Sequence, residues 1–448
     1  MFIKNSTLKI KNYQMKTASQ KVVRAWTMYD WANSSYSLII TSAIYPAYYS
    51  IIVPQQVQFI GRTYDRAALA SYSISFSFLL IAFLSPILSS IADARGNKKA
   101  FMQFFCYLGS TACAAMFFFT KEHISLGITC SIIASIGFCG SIVFYNSYLP
   151  EIAHKDDHDK VSARGFAMGY IGSVILMLIC LAFIMMNDKL NWGYGAMPTR
   201  LSFLAVGIWW ASFAQITFKH LPKSKPNIKE SKQKNIFTDG FAELKKVIKE
   251  LIHYPRLRKF LRAFFFYNMG VQTVMYVAVY FASEELKMET TQLILTVLII
   301  QIVAIFGAIL FSKLSKATNN ILTLFILISI WICICIGAYF IQTAMQFFVL
   351  AFCVGMVMGG IQSMSRSTYS KLLPPTHDTA SYFSFYDVCE KSGTVLGTMS
   401  FGLVAEFLGG MRNSILAIMG FFIIGMILLL FVKMKDNNNN NETMFTKA

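Results

Sequence analysis

The stretch MYDWANSSYS, residues 28–37, sets Asp30, Asn33, Ser34 and Ser37 directly ahead of the apolar run LIITSAIYPAYYSIIV. Counted with Thr41, these groups stand at offsets of 0, 3, 4, 7 and 11. On a helix turning about 100° per residue they fall within about 50° of one another, forming one polar stripe. Asp387, Glu390, Lys391, Thr394 and Thr398 repeat the same offsets further along the chain. A charge at a bilayer centre costs about 2.5–3.5 kcal/mol on insertion scales and persists only with a partner or a wet cavity. The chemistry open to such stripes is binding of a small polar solute or of a titrating coupling ion. A blander reading stays open for each. Asp30 lies about five residues from its helix start, roughly 8 Å, so it can be interfacial, and Asp387 with Lys391 is an i, i+4 pair that can neutralise itself.

Three further polar pairs fall inside apolar runs. Asn268 and Gln272 are one turn apart, able either to contact solute or to bond neighbouring helices. Gln362 and Arg366 are also one turn apart; the guanidinium can hold a carboxylate bidentately or serve as an anchor near a basic surface. Tyr145 and Asn146 form the third pair. Trp26, Trp31 and Tyr48, near the ends of a run, fit an interfacial aromatic belt.

These residues need long helices to position them. The 448-residue chain is 55% hydrophobic and 14% charged, more apolar than a soluble domain of this length requires. Runs of about 20 apolar residues match a bilayer core of roughly 30 Å. The sequence predicts twelve: 25–53, 68–92, 99–120, 124–150, 164–187, 199–220, 260–283, 291–312, 320–341, 345–372, 381–406 and 412–434. The expected class is an all-α integral membrane protein. Of the 40 Lys and Arg, 32 fall on the side holding both termini and 7 on the other, with Lys391 inside a run. That asymmetry predicts cytoplasmic termini, in a bacterial cell at the plasma (inner) membrane. It also turns the net charge of +18 into a topology signal and argues against nucleic acid as partner. The nine Cys all fall inside predicted runs without a CxxC pair, so neither a disulfide nor a metal site is expected.

The expected organisation is a cytoplasmic segment 1–24, a six-helix bundle 25–220, a basic connection 221–259, a second bundle 260–435 and a polar, disordered tail 436–448. Within the connection, Phe241, Leu244, Val247, Ile248, Leu251 and Ile252 recur at helical spacing, predicting an amphipathic helix on an anionic lipid surface. The halves echo each other. NSYLPEI leads into ARGFAMGYIGSV, and STYSKLLPP leads into SYFSFYDVCEKSGTVLG, with Gly165/Gly169 and Gly393/Gly397 as matching GxxxG pairs that let helices approach closely. Six plus six helices with internal repeats is the plan of alternating-access carriers.

The loop SSIADARGNKK, residues 89–99, resembles the major facilitator signature G-x-L-A-D-R-x-G-R-K, with Ser89 in place of the first Gly and the Arg displaced to Arg95. The resemblance implies gating by Asp93 and Arg95. YDWANSSY, FYNSYLPEIA, GFAMGYIG, FFFYNMGVQTV, GGIQSMSRSTYSKLLPP and FSFYDV followed by GTVLG together resemble the autophagy-associated vacuolar effluxer family and its bacterial relatives, over residues 24–430. That resemblance implies a major facilitator fold and amino-acid transport. It also marks a departure: relatives commonly carry Asp-Gly where this chain has Met269-Gly270, which shifts any ion coupling to Asp30 or the Asp387, Glu390, Lys391 cluster.

A membrane-embedded enzyme would have its best site in HKDDHDK, residues 154–160, whose acids and histidines read instead as solvated loop charges. A carrier-like sensor without turnover is the other alternative. The expectation is a monomeric secondary transporter, not an enzyme and without cofactor, that moves a small polar solute with a coupling proton.

Overall fold

The computed structural model describes residues 19–190, 193, 195–224, 236–408 and 410–432. Residues 1–18 of the predicted cytoplasmic segment 1–24, and the predicted tail 436–448, lie outside the described residues. The described residues are helical almost throughout. The first predicted span is α1 (Gln20–Ser35), a π-helical stretch (Tyr36–Ala43) and α2 (Ile44–Ile52). Pro46 explains the break. It has no N–H for the carbonyl four residues back and its ring crowds that turn. The Ser42 hydroxyl instead reaches the Ser37 carbonyl five residues back, at 3.0 Å, and Ala43 leaves helical geometry at φ −130°, ψ −80°.

A hairpin absent from the sequence expectation follows: β1 (Gln56–Phe59) pairs antiparallel with β2 (Arg62–Asp65). Its two-residue turn, Ile60 and Gly61, has positive φ at both positions, which matches the twist of hairpin strands. Then come α3 (Arg66–Arg95), α4 (Lys98–Ala115), α5 (Ile124–Ser147), the single turn α6 (Leu149–Ile152), α7 (His158–Leu190) and α8 (Met197–His220). Asp65 caps α3 by accepting from the amides of Ala67 and Ala68, and Gly96 ends it in the left-handed conformation, φ 67°, where a side chain would be strained. The second half begins after α9 (Ile236–His253) and comprises α10 (Pro255–Glu285), α11 (Thr290–Ala317), α12 (Asn320–Phe340), α13 (Ala344–Leu372), α14 (Thr379–Leu408) and α15 (Met411–Leu430).

Ten helices among the described residues are long and apolar enough to cross a membrane, making this a multi-pass membrane protein. The first and eleventh predicted spans are outside that ten. The first is cut into three helical pieces, and α14 carries Asp387, Glu390, Lys391 and Glu406 along its 30 residues. Buried apolar side chains gather into two cores, one spanning Trp26 to Leu221 with Ala380 joining from α14, the other spanning Val247 to Val432 with Tyr170 joining from α7. Within the first half α1 packs on α7 and α8; within the second, α10 packs on α14 and α15. Between halves, α3 and α5 meet α14, while α7 meets α11 and α13.

The matched glycine pairs sit at equivalent seams. A Cβ on Gly165 would strike Asp30 and Arg366, and one on Gly169 would strike Ser34. On α14, a Cβ on Gly397 would strike Thr273 Oγ1 and come within 2.9 Å of the Met269 carbonyl, while one on Gly393 would lie 3.2 Å from Met269. Helices α1 and α7, like α10 and α14, therefore approach backbone to backbone.

The basic connection is corrected in one respect. Instead of lying on lipid by its whole apolar face, α9 packs against α3 and α14: Val247 is buried, Tyr382 donates to Glu250 at 2.9 Å, and Lys246 is 3.4 Å from Asp378. Ile248 and Ile252 remain exposed. The side chains of Phe241 and Leu244 are outside the described residues.

Candidate functional site

A cavity of about 640 Å³ lies between the halves. Its walls come from the polar stripe of α1 and the π-helical stretch, from α2, α3, α5 and α7 of the first half, and from α10, α11, α13 and α14 of the second. Asn33, Ser34, Ser37 and Thr41 all line it, so the stripe predicted from spacing does share one face. Lining residues reach from Asp30 and Arg366 at one end to Ser50, Arg66 and Tyr280 at the other. That second end is the hairpin side, opposite the side where α1 begins and α9 lies.

At the base, Asp30 and Arg366 join the halves. Asp30 Oδ2 accepts from the Tyr145 hydroxyl at 2.6 Å and from both guanidinium nitrogens of Arg366 at 3.3 Å. Arg366 also donates to Asn146 Oδ1 at 3.2 Å, Ser162 Oγ at 2.9 Å and the Ser162 carbonyl at 2.8 Å. Its guanidinium carbon lies over the rings of Phe166, Trp26 and Tyr145 at 4.1, 4.9 and 5.5 Å. Three faces and a carboxylate hold the cation in place. Two sequence expectations change here. Arg366 is 3% exposed, so it is no surface anchor, and its fork is already occupied by Asp30 and Ser162. Asp30 is 5% exposed, so it faces partners inside the protein. Trp26 and Tyr48 are buried as well: Trp26 stacks on Tyr145 at 4.4 Å and donates to its carbonyl, and Tyr48 donates to the Phe119 carbonyl. Trp31 stacks on Trp209 at 5.6 Å. These rings are packing elements of the first half instead of a belt.

Higher on the second-half wall, Glu390 and Lys391 line the cavity, 2.7 Å apart, with Lys391 over the Phe78 ring of α3. Asp387 is one turn nearer the helix start, 3.8 Å from Lys391 and 3% exposed. The second stripe thus does not act as one wet face: Thr394 and Thr398 hydrogen-bond back into their own helix, and Asp387 is covered.

The neutral pairs fall as follows. Asn268 and Gln272 line the cavity and share a 3.5 Å contact. Gln362 accepts from Tyr170 at 2.6 Å across the halves. Asn146 lines the cavity; Tyr145 stands behind it, holding Asp30. Asn33 Nδ2, Asn268 Nδ2 and Gln301 Oε1 are buried on the cavity wall without a partner among the described residues. Buried polar atoms are rarely left so, and these are the atoms a solute or water would satisfy. Met269 points away, against Gly393 of α14.

The other end of the halves is closed. Asp93 accepts from the Ala380 amide at 3.3 Å and from the amide and hydroxyl of Ser381, both at 2.7 Å, at the start of α14, where free N–H groups favour an anion. Lys98 lies 3.0 Å from Asp93, bridges to Glu151, and donates to Thr379 Oγ1 at 2.6 Å and the His377 carbonyl at 3.1 Å. Arg95 is exposed and takes no part, so the cation expected at Arg95 is supplied by Lys98. A second closure was missed. Asp159, read as a solvated loop charge, is 5% exposed and accepts from Lys371 at 2.5 Å, Asn320 at 2.7 Å and Ser315 at 2.7 Å. His158 is buried beside it, bonded to the Ala153 carbonyl. The internal echo between the loops before α7 and α14 was the available signal: both helix starts dock on the opposite half.

The profile described as "Vacuole effluxer Atg22 like" matches residues 18–442. The chain is similar to an uncharacterized MFS-type transporter, YxiO, of Bacillus subtilis, 32% identical over 92% of this chain and 95% of that one. It is also similar to autophagy-related protein 22-2 of Aspergillus oryzae, 25% identical over 84% and 75%. In fold it resembles FucP, a fucose:proton symporter of E. coli, in the outward conformation, with a TM-score of 0.66, 14% identity and coverage of 93% and 99%. The human organic anion transporter MFSD10 gives 0.67, 11%, 93% and 99%. The chain therefore belongs to the Atg22-like vacuole effluxer family, built on the major facilitator fold.

Proposed function

We propose that this protein is a twelve-span secondary carrier that moves a small polar solute, amino acids first among candidates, by rocking its two six-helix halves. The observation that carries the reading is the asymmetry of the cavity: it opens at the hairpin side, while Asp30–Arg366, Asp93–Ser381 and Asp159–Lys371 join the halves at the other. A site between repeats, reachable from one side at a time, is what alternating access requires. The basic-residue asymmetry favours a cytoplasmic position for the termini and the closed end; on that reading the open end faces outward, in a monomer that in a bacterial cell would sit in the plasma membrane.

Amino acids are favoured by the family's effluxer description and by the lining itself. The cavity offers Arg366 paired to Asp30, Lys391 paired to Glu390, and unpaired amide groups, a wall of near-balanced charge that suits a neutral or zwitterionic solute. Accumulation would draw on a proton gradient. The test is counterflow in proteoliposomes loaded with mixed amino acids, with single labelled amino acids outside. Specific exchange of a label, reduced tenfold or more in Asp30→Asn, is expected. Absence of exchange for every amino acid, in vesicles where a control carrier works, removes the amino-acid assignment.

A further inference from the structure

Five carboxylates are buried at or near the seam between the halves, and four of them have donors, Asp378 from Lys246 and Thr376 at 3.4 Å each. Asp30 has three donors, from Tyr145 and Arg366. Asp93 has the Ala380 amide and the amide and hydroxyl of Ser381, with Lys98 beside it. Asp159 has Lys371, Asn320 and Ser315. Asp387 differs. Its nearest cation, Lys391, is 3.8 Å from Oδ1 and is already bonded to Glu390 at 2.7 Å. Its Oδ2 is buried and has no partner among the described residues.

Among the described residues none of the surrounding groups hydrogen-bonds Asp387 Oδ2. On α14 itself the neighbours are Tyr386, Cys389, Glu390 and Lys391; α5 brings the thiol of Cys139, α10 the hydroxyl of Tyr276 near Glu390 and Lys391, and α3 the ring of Phe78. α9 brings Glu250 and Lys246, which engage Tyr382 and Asp378, more than a turn away. The charged side chain of α15, Arg412, is paired with Glu285 at the far end of the bundle. Two acids and one base share this corner, and the acid that is covered, Asp387, is the one without a close cation. A buried ion without a partner costs several kcal/mol, and a group that can neutralise itself does so.

We propose that Asp387 is the coupling-proton site of this protein, carrying a proton when the cavity is open as seen here, with Glu390 and Lys391 as its positioning partners. Protonated, Asp387 leaves Lys391 to Glu390 and the trio is neutral. When the O–H bond breaks, the proton passes to cavity water by way of the Glu390 carboxylate. The trio then holds one net negative charge, and Lys391 is drawn between two carboxylates. Because α14 packs on α3 and α5 of the first half, that change acts at the seam along which the halves rock. The same comparison sets Asp30 apart, because its carboxylate already holds three donors. The coupling role rests on the carrier reading above; the protonation itself does not.

Infrared spectroscopy of the purified full-length protein in lipid nanodiscs at neutral pH tests it without any transported solute. The wild type is expected to show the C=O stretch of an un-ionised carboxylic acid. Asp387→Asn should abolish that band, Asp30→Asn should keep it, and Asp387→Glu should shift its frequency without loss. Lys391→Met, with two acids and no base, should roughly double its intensity. Retention of the band in Asp387→Asn, its loss in Asp30→Asn, or its absence from the wild type overturns the assignment. Asp387→Glu keeps the test decisive if Asp387→Asn does not fold. A failure of counterflow together with the expected bands would remove the carrier reading and leave the protonation standing.

Discussion

At the scale of single residues, the Asp30–Arg366 pair is the contact most exposed to substitution. Both partners are buried, and the guanidinium makes bonds to Asp30, Asn146 and Ser162 while lying against three rings. Removing one member of a buried pair leaves an uncompensated charge and costs about 3–5 kcal/mol, whereas removing both is far milder. Arg366→Met is therefore expected to lower the unfolding midpoint in detergent more than the Asp30→Asn/Arg366→Met double variant does. A double-mutant cycle gives the coupling directly. Additive losses would mean that the bridge does not act as a unit. The residue types of this pair were legible in the sequence, but their pairing was not, because 336 positions separate them and only the meeting of the two halves brings them together.

Among elements, the seams α1–α7 and α10–α14 carry the argument. Both depend on glycines that let one backbone lie against another, and α14 contains its own control. A Cβ on Gly397 would meet Thr273 and the backbone of Met269, while one on Gly402 would meet nothing within 4 Å. Overpacking a tight contact costs about 1–3 kcal/mol, and Gly→Ala at an open helical position gains about 0.5–1 kcal/mol. Gly397→Ala should thus lower the thermal midpoint, and Gly402→Ala should leave it unchanged or raise it slightly. Equal effects from both would show that α14 does not rest on α10 through Gly397. The spacing of these glycines marked them as close-approach positions; which helix they approach was set by packing.

For the whole molecule, the balance between open and closed ends rests on contacts that cross the halves. Asp93 holds the start of α14, and Asp159 at the start of α7 holds α11, α12 and α13 through Ser315, Asn320 and Lys371. Each latch favours the state closed at the end where α1 begins. Asp93→Asn combined with Asp159→Asn should shift the population toward closure at the hairpin side. Spin labels on exposed Lys121 and Lys287, one on each half at that side, should then show a shorter distance population than in the otherwise native protein. An unchanged distribution would show that the two latches do not set the equilibrium.

The sequence by itself determined the class, the repeat and the stripe. Apolar runs long enough for a bilayer, basic loops on one side, and polar groups at helical offsets are all local properties, and the cavity does receive Asp30, Asn33, Ser34, Ser37 and Thr41 on one face. It also marked Asp93 through a short signature. What tertiary structure alone decided is which charge meets which. Lys98 took the place expected of Arg95, Asp159 left the solvated loop for a buried network, Arg366 closed on Asp30, and Asp387 Oδ2 was left without a partner among the described residues. Burial and pairing depend on distances between segments hundreds of residues apart, and a charge inside a membrane protein takes its meaning from its nearest opposite charge, which no local pattern records.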